Sequence, residues 1–94
     1  MRNPLRVSGV RMIAASPDDV ESGLLGWLEV ELNDTLQLDG LTLRRTSDGR
    51  LTISYPARTD SRGRRHSYAR PLDDHARRDI ERQVLESLGL TGTS

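Results

Sequence analysis

The chain contains no cysteine, no phenylalanine and no lysine. Without cysteine it can build neither a disulfide framework nor a thiolate metal site. Phenylalanine is missing too, and the core is expected to be foldable but thin. Leucine, valine and isoleucine supply 14, 5 and 3 of the 94 residues. That share lies just above the roughly 20% below which a charged chain stays disordered. No apolar run approaches the roughly 18 residues of a membrane span, and the N-terminus lacks a signal-like apolar stretch. The expectation is a cytoplasmic protein with no membrane partner.

What is present is one domain's worth of chain, expected to span 1–94 with disordered ends at 1–4 and 90–94. A domain of this size buries only about 60–70% of the surface its unfolded chain exposes. A second copy covering more apolar surface would help so thin a core, and strand pairing into a homodimer is expected.

Net charge is zero, 14 basic residues against 14 acidic ones. The distribution is far from uniform. Residues 1–43 hold three arginines and seven acids, 44–70 hold eight arginines and two acids, and 71–94 hold three arginines and five acids. A +6 segment therefore lies between flanks of −4 and −2. Every basic residue is arginine, whose planar five-donor fork suits phosphates and guanine edges.

Segment 5–15 reads as a strand interrupted at Gly9, and Ser16-Pro17-Asp18-Asp19 as a turn or the first turn of a helix. Residues 24–32 alternate as a second strand. Leu24, Gly26, Leu28, Val30 and Leu32 fall on one face, and Leu25, Trp27, Glu29 and Glu31 on the other. Trp27 beside Leu25 on the wetter face is a candidate dimer contact. Segment 35–45 alternates too, but slips by one at Asp39-Gly40, which predicts a bulge or a tight turn. Ser47-Asp48-Gly49 signals a hairpin before the strand Leu51–Tyr55, which Pro56 ends. Residues 57–65 read as a polar loop around Gly63, and 66–70 as a short strand stopped by Pro71. A helix then opens at Asp73 or Asp74, carries Ala76, Ile80, Val84, Leu85 and Leu88 on one face, and stops at Gly89. Strands first and a helix last predict an α+β fold: an antiparallel sheet of four to five strands covered by the C-terminal helix.

No enzyme constellation accompanies this plan. His66 and His75 have no metal-ligand spacing, no serine sits in a nucleophile elbow, and no glycine-rich phosphate loop precedes the helix. Asp73, Asp74 and His75 at the helix start read as capping and dipole compensation. No catalysis, cofactor or metal is expected. Arg58, Arg62, Arg64 and Arg65 crowd one loop with only Asp60 against them, and Tyr55, His66 and Tyr68 flank it as possible stacking groups. Arg77, Arg78 and Arg82 fall at ion-pair spacing on the helix and read as its solvated face.

The run Leu51-Thr52-Ile53-Ser54-Tyr55-Pro56, then Ala57-Arg58, Gly63 and Ala69-Arg70-Pro71-Leu72-Asp73-Asp74, resembles the SpoVG family (stage V sporulation protein G, septation regulators). The spacing from Pro56 through Gly63 to Pro71 agrees without a gap, and Val10-Arg11 resembles the family's early strand. The resemblance implies a homodimeric α+β protein that binds nucleic acid and regulates gene expression in sporulation and septation. By position, Arg58 stands where the family has Lys and Arg70 where it has His. Thr59 stands where the family has Arg, and Arg65-His66-Ser67 replaces a Phe-Arg-Asp run. The expected contact residues for DNA or RNA are therefore Arg58, Arg62, Arg64, Arg65 and Arg70. The alternative is a protein–protein adaptor that docks an acidic partner on the same loop.

Overall fold

The computed structural model describes residues 5–90. Its architecture is α+β, a four-stranded antiparallel sheet with a C-terminal helix. The expected disorder at 1–4 and 91–94 lies outside the described residues. Leu90, the inner limit of that C-terminal end, donates its N–H to Leu85 O at 2.8 Å.

Four strands run in meander order: β1 (Val7–Ala14), β2 (Leu24–Leu32), β3 (Leu36–Arg45) and β4 (Leu51–Ser54). Ser16-Pro17-Asp18-Asp19 opens a short helix, α1 (Pro17–Glu21), with Pro17 in its first turn, where a missing N–H costs nothing. The β2–β3 connection turns on Asn33 and Asp34, both left-handed at φ 52° and 53°. These short polar types tolerate that region better than most.

Three bulges shape the sheet. One falls between Val7 and Gly9, where the interruption at Gly9 predicts it. Another resolves the slip at Asp39-Gly40: β3 runs straight through, and Gly40 adopts φ 83°. The third corrects the sequence reading. Leu24 pairs with Arg44 and Gly26 with Leu43, so Leu25 is the extra residue. The bulge reverses the two leucines. Leu25 packs against the core, and Leu24 shares a face with Arg44. Leu25 and Trp27 therefore do not form the common patch that strict alternation predicts.

The core is wholly aliphatic, as a chain without phenylalanine requires. Leu28, Val30, Leu32, Leu41, Leu43 and Ile53 come from the sheet, and Val84 and Leu85 from α2 (Asp74–Ser87). Burying each such side chain contributes about 1.5–3 kcal/mol. Asp73 caps α2 by accepting the Ala76 N–H at 2.8 Å. Gly89, at φ 75°, closes the helix with N–H bonds from Gly89 to Glu86 O and from Leu90 to Leu85 O. That pair of bonds is a Schellman motif.

The helix also ties the two edge strands. Gln83 accepts from Val7 N and donates to Leu5 O, both at 2.8 Å, like a residue of a neighbouring strand. Glu81 accepts from Ile53 N at 3.3 Å and Thr52 Oγ1 at 3.2 Å on β4. The remaining strands depart from expectation. Ala57–Thr59 (β5) and Arg65–Ser67 (β6) pair with each other as a separate two-stranded sheet, so the expected polar loop is a hairpin. No fifth strand joins the main sheet among the described residues.

Candidate nucleic-acid interface

Asp60 makes the β5–β6 hairpin close. Its Oδ1 accepts the N–H groups of Arg62 and Arg64, each at 2.9 Å, and Gly63 turns the chain at φ 79°. The other carboxylate oxygen lies 2.7 Å from His66 Nε2 and 3.5 Å from Arg64 Nε. These contacts, the His66 hydrogen bond first, hold the Asp60 carboxyl below the usual carboxylate range.

Hairpin register then sorts the basic residues. Arg58 pairs with His66 and Thr59 with Arg65, so Arg58 and His66 share one face while Ala57 and Arg65 share the other. Ala57 and Arg65 look onto the outer face of the main sheet. There they join Gly40, Thr42, Arg44 and Ser54 around a groove of about 450 Å³. Arg44, thirteen residues before β5 and outside the expected loop cluster, is thus brought to Arg65 by the fold. The alternation of β3 signals only that Thr42 and Arg44 share a face, alongside Ser54 and Thr52 of β4, and not that Arg65 comes to meet them.

Ion pairing divides the arginines more sharply than position does. Arg6 pairs with Asp34 and Arg11 with Glu29; on α2, Arg77 pairs with Asp74 and Glu81, Arg78 with Asp74, and Arg82 with Asp79 and Glu86. The helix arginines are the paired, solvated face that their spacing predicts. In segment 44–70 only Arg64 is paired. Arg44, Arg45, Arg50, Arg58, Arg62, Arg65 and Arg70 have no carboxylate within 4.0 Å among the described residues.

The five expected contact residues do not form one patch. Arg65 lies at the groove, Arg62 and Arg64 at the hairpin tip, and Arg58 on the reverse face. Arg70 lines a second, largely apolar hollow of about 550 Å³ with Leu5, Pro71, Leu72, His75 and Ile80. Only Tyr55 borders both hollows. Its hydroxyl is buried with no hydrogen-bond partner among the described residues, and burial, with the nearby Glu81 carboxylate, pushes it up to about 12.

Asp73 caps the helix and Asp74 binds Arg77 and Arg78, whereas His75 lines the apolar hollow. Among the described residues no group of three or more histidines and acids can hold a metal ion, and no helix is long and apolar enough to cross a membrane. What the outer face offers is guanidinium groups and hydroxyls beside an accessible groove, an arrangement that takes anions. Neither a protein-family model nor a curated protein matches the chain, so this face is read from its own geometry.

Proposed function

We propose that the chain is a nucleic-acid-binding regulator that acts as a homodimer. The observation that carries the reading is the set of seven arginines, all drawn from 44–70, that have no carboxylate partner among the described residues. A guanidinium already held by a carboxylate must break that pair to reach a phosphate, whereas an unpaired one presents its donors at once. The resemblance to the SpoVG family supports the same reading, and extends it to sporulation and septation control in the cytoplasm. Dimerisation draws support from β1, whose outer edge has no partner strand among the described residues and whose second half, Arg11–Ala14, is exposed.

The test is a salt titration of binding by the full chain to random-sequence DNA and RNA. Five or six phosphate contacts give a slope of roughly −4.5 to −5.5 in log affinity against log salt on duplex DNA. Reversing two exposed charges, Arg62→Glu with Arg65→Glu, weakens binding and flattens that slope. Absence of binding at low salt, with an acidic protein partner captured instead, overturns the reading in favour of the adaptor. Light scattering that gives a monomer at tens of micromolar overturns the dimer.

A further inference from the structure

We infer that Trp27 is a stacking platform for an unpaired base, and that the ligand of the groove is therefore a single nucleic-acid strand. This rests on the nucleic-acid reading above and names the form of the ligand. Trp27 stands on β2, flanked by β1 and β3, so pairing of a sheet edge with a second copy does not engage it. It is 41% exposed, so one face of the indole is open to solvent. The register lines Trp27 up with Thr42 and Thr42 with Ser54 across three adjacent strands. Thr42 and Ser54 are walls of the groove that Arg44 and Arg65 also line. The strand that bears Trp27 thus lies one strand spacing, about 4.8 Å, from the nearest groove-lining strand.

Charge gives the strand a direction. On the β1 side Trp27 faces Ile13, itself half exposed, and farther along β2 the same outer face carries Glu29, bound to Arg11 at 3.0 Å, and Glu31, bound by Ser8 at 2.9 Å. On the β3 side the same face carries Thr42, then Arg44 with no carboxylate partner. A polynucleotide with one base on Trp27 is turned away from the acidic far end of β2 and drawn toward Arg44 on the β3 side. Its phosphates then reach Arg44 and Arg65 while the hydroxyls of Thr42 and Ser54 meet the backbone. A duplex cannot use this arrangement, because its bases are already stacked on one another.

Trp27 is the only tryptophan, so its fluorescence reports the contact directly. The full chain is titrated with oligothymidylate, oligouridylate, an abasic strand of equal length and a duplex. Expected is quenching by thymidylate, uridylate or both, the two arms separating DNA from RNA, while the abasic strand and the duplex bind without quenching. Trp27→Ala weakens binding of a labelled single strand on the order of 10- to 100-fold and leaves duplex binding unchanged. Trp27→Phe, which keeps a ring, restores most of the loss and guards against a folding defect. Equal quenching by the abasic strand, or single-strand affinity unchanged in Trp27→Ala, overturns the inference while leaving nucleic-acid binding intact. Fluorescence that changes with protein concentration alone overturns it in favour of a second copy on this face. No binding to any of the four ligands defeats the underlying reading as well.

Discussion

His66 Nε2 stands 2.7 Å from Asp60 Oδ2, closing the base of the hairpin that carries Arg62, Arg64 and Arg65. The same carboxylate holds two backbone N–H groups in the turn, so one side chain orders the whole tip. Its folded-state pKa is depressed, so its stabilising effect is present above the ordinary value of about 3.9 and is lost as pH falls through the lowered one. Amide exchange should show Arg62 and Arg64 N–H protected at neutral pH and released in acid before the sheet melts. Asp60→Ala should release them at every pH. Protection unchanged in that variant would mean that the turn is ordered by its backbone alone.

A second prediction concerns Gln83, whose side-chain amide bonds both Val7 N and Leu5 O. Gln83→Ala strands those two backbone groups at a half-covered edge and should cost about 1–3 kcal/mol in denaturant unfolding. The loss is local at first: exchange at Val7 should accelerate more than exchange at Val30. Gln83→Glu keeps the acceptor for Val7 N but turns a carboxylate oxygen toward Leu5 O and Asp79 Oδ2, both of which the amide donates to, so at neutral pH it should cost at least as much as Gln83→Ala.

How far these features were legible follows from what causes them. Strand β2 and helix α2 lay open in the sequence because a single periodicity governs each, and both ends of α2 carry local capping chemistry in Asp73 and Gly89. The bulge at Leu25 did not, because Leu24 and Leu25 are both apolar and either phase satisfies the pattern. Its marker is steric. A side chain at Gly26 would bring a Cβ within 2.7 Å of Ile13 O and 3.0 Å of Met12 Cγ, which only the folded β1–β2 pair reveals. The β5–β6 hairpin was hidden for a different reason: it has no apolar alternation, and Asp60 determines it through hydrogen bonds within the turn. Helix ion pairs at three and four residues could be read in advance. The approach of Arg44 to Arg65 could not, since it depends on how the hairpin folds back over β3 and β4.

The division between paired and unpaired arginines predicts a difference in salt dependence. Arg78 and Arg82 are exposed and already bound to acids of their own helix. Arg78→Gln and Arg82→Gln should leave the slope of log affinity against log salt unaltered. Arg44→Gln and Arg65→Gln should each reduce its magnitude by about 0.7–0.9, one phosphate contact apiece. Equal effects at all four positions would show binding by net charge and not by the groove.

Tyr55 supplies the last prediction, and its sign runs against ordinary intuition about deleting a polar group. The hydroxyl is buried without a partner among the described residues, so it carries a desolvation cost that no hydrogen bond there offsets. Tyr55→Phe removes one oxygen, creates no large cavity, and should be neutral or stabilising at pH 7. At alkaline pH the difference should widen. Burial, with Glu81 as a second cause, raises the folded-state value to about 12, whereas the unfolded chain ionises near 10. Between those values the folded state binds more protons than the unfolded one, so this group's contribution to stability falls as pH rises. Phenylalanine has nothing to ionise and escapes that loss. Paired denaturation curves from pH 8 to about 12 should therefore show the variant gaining on the parent chain above pH 10. A gap that stays constant across that range would mean that the hydroxyl ionises as readily in the folded protein as in the unfolded chain.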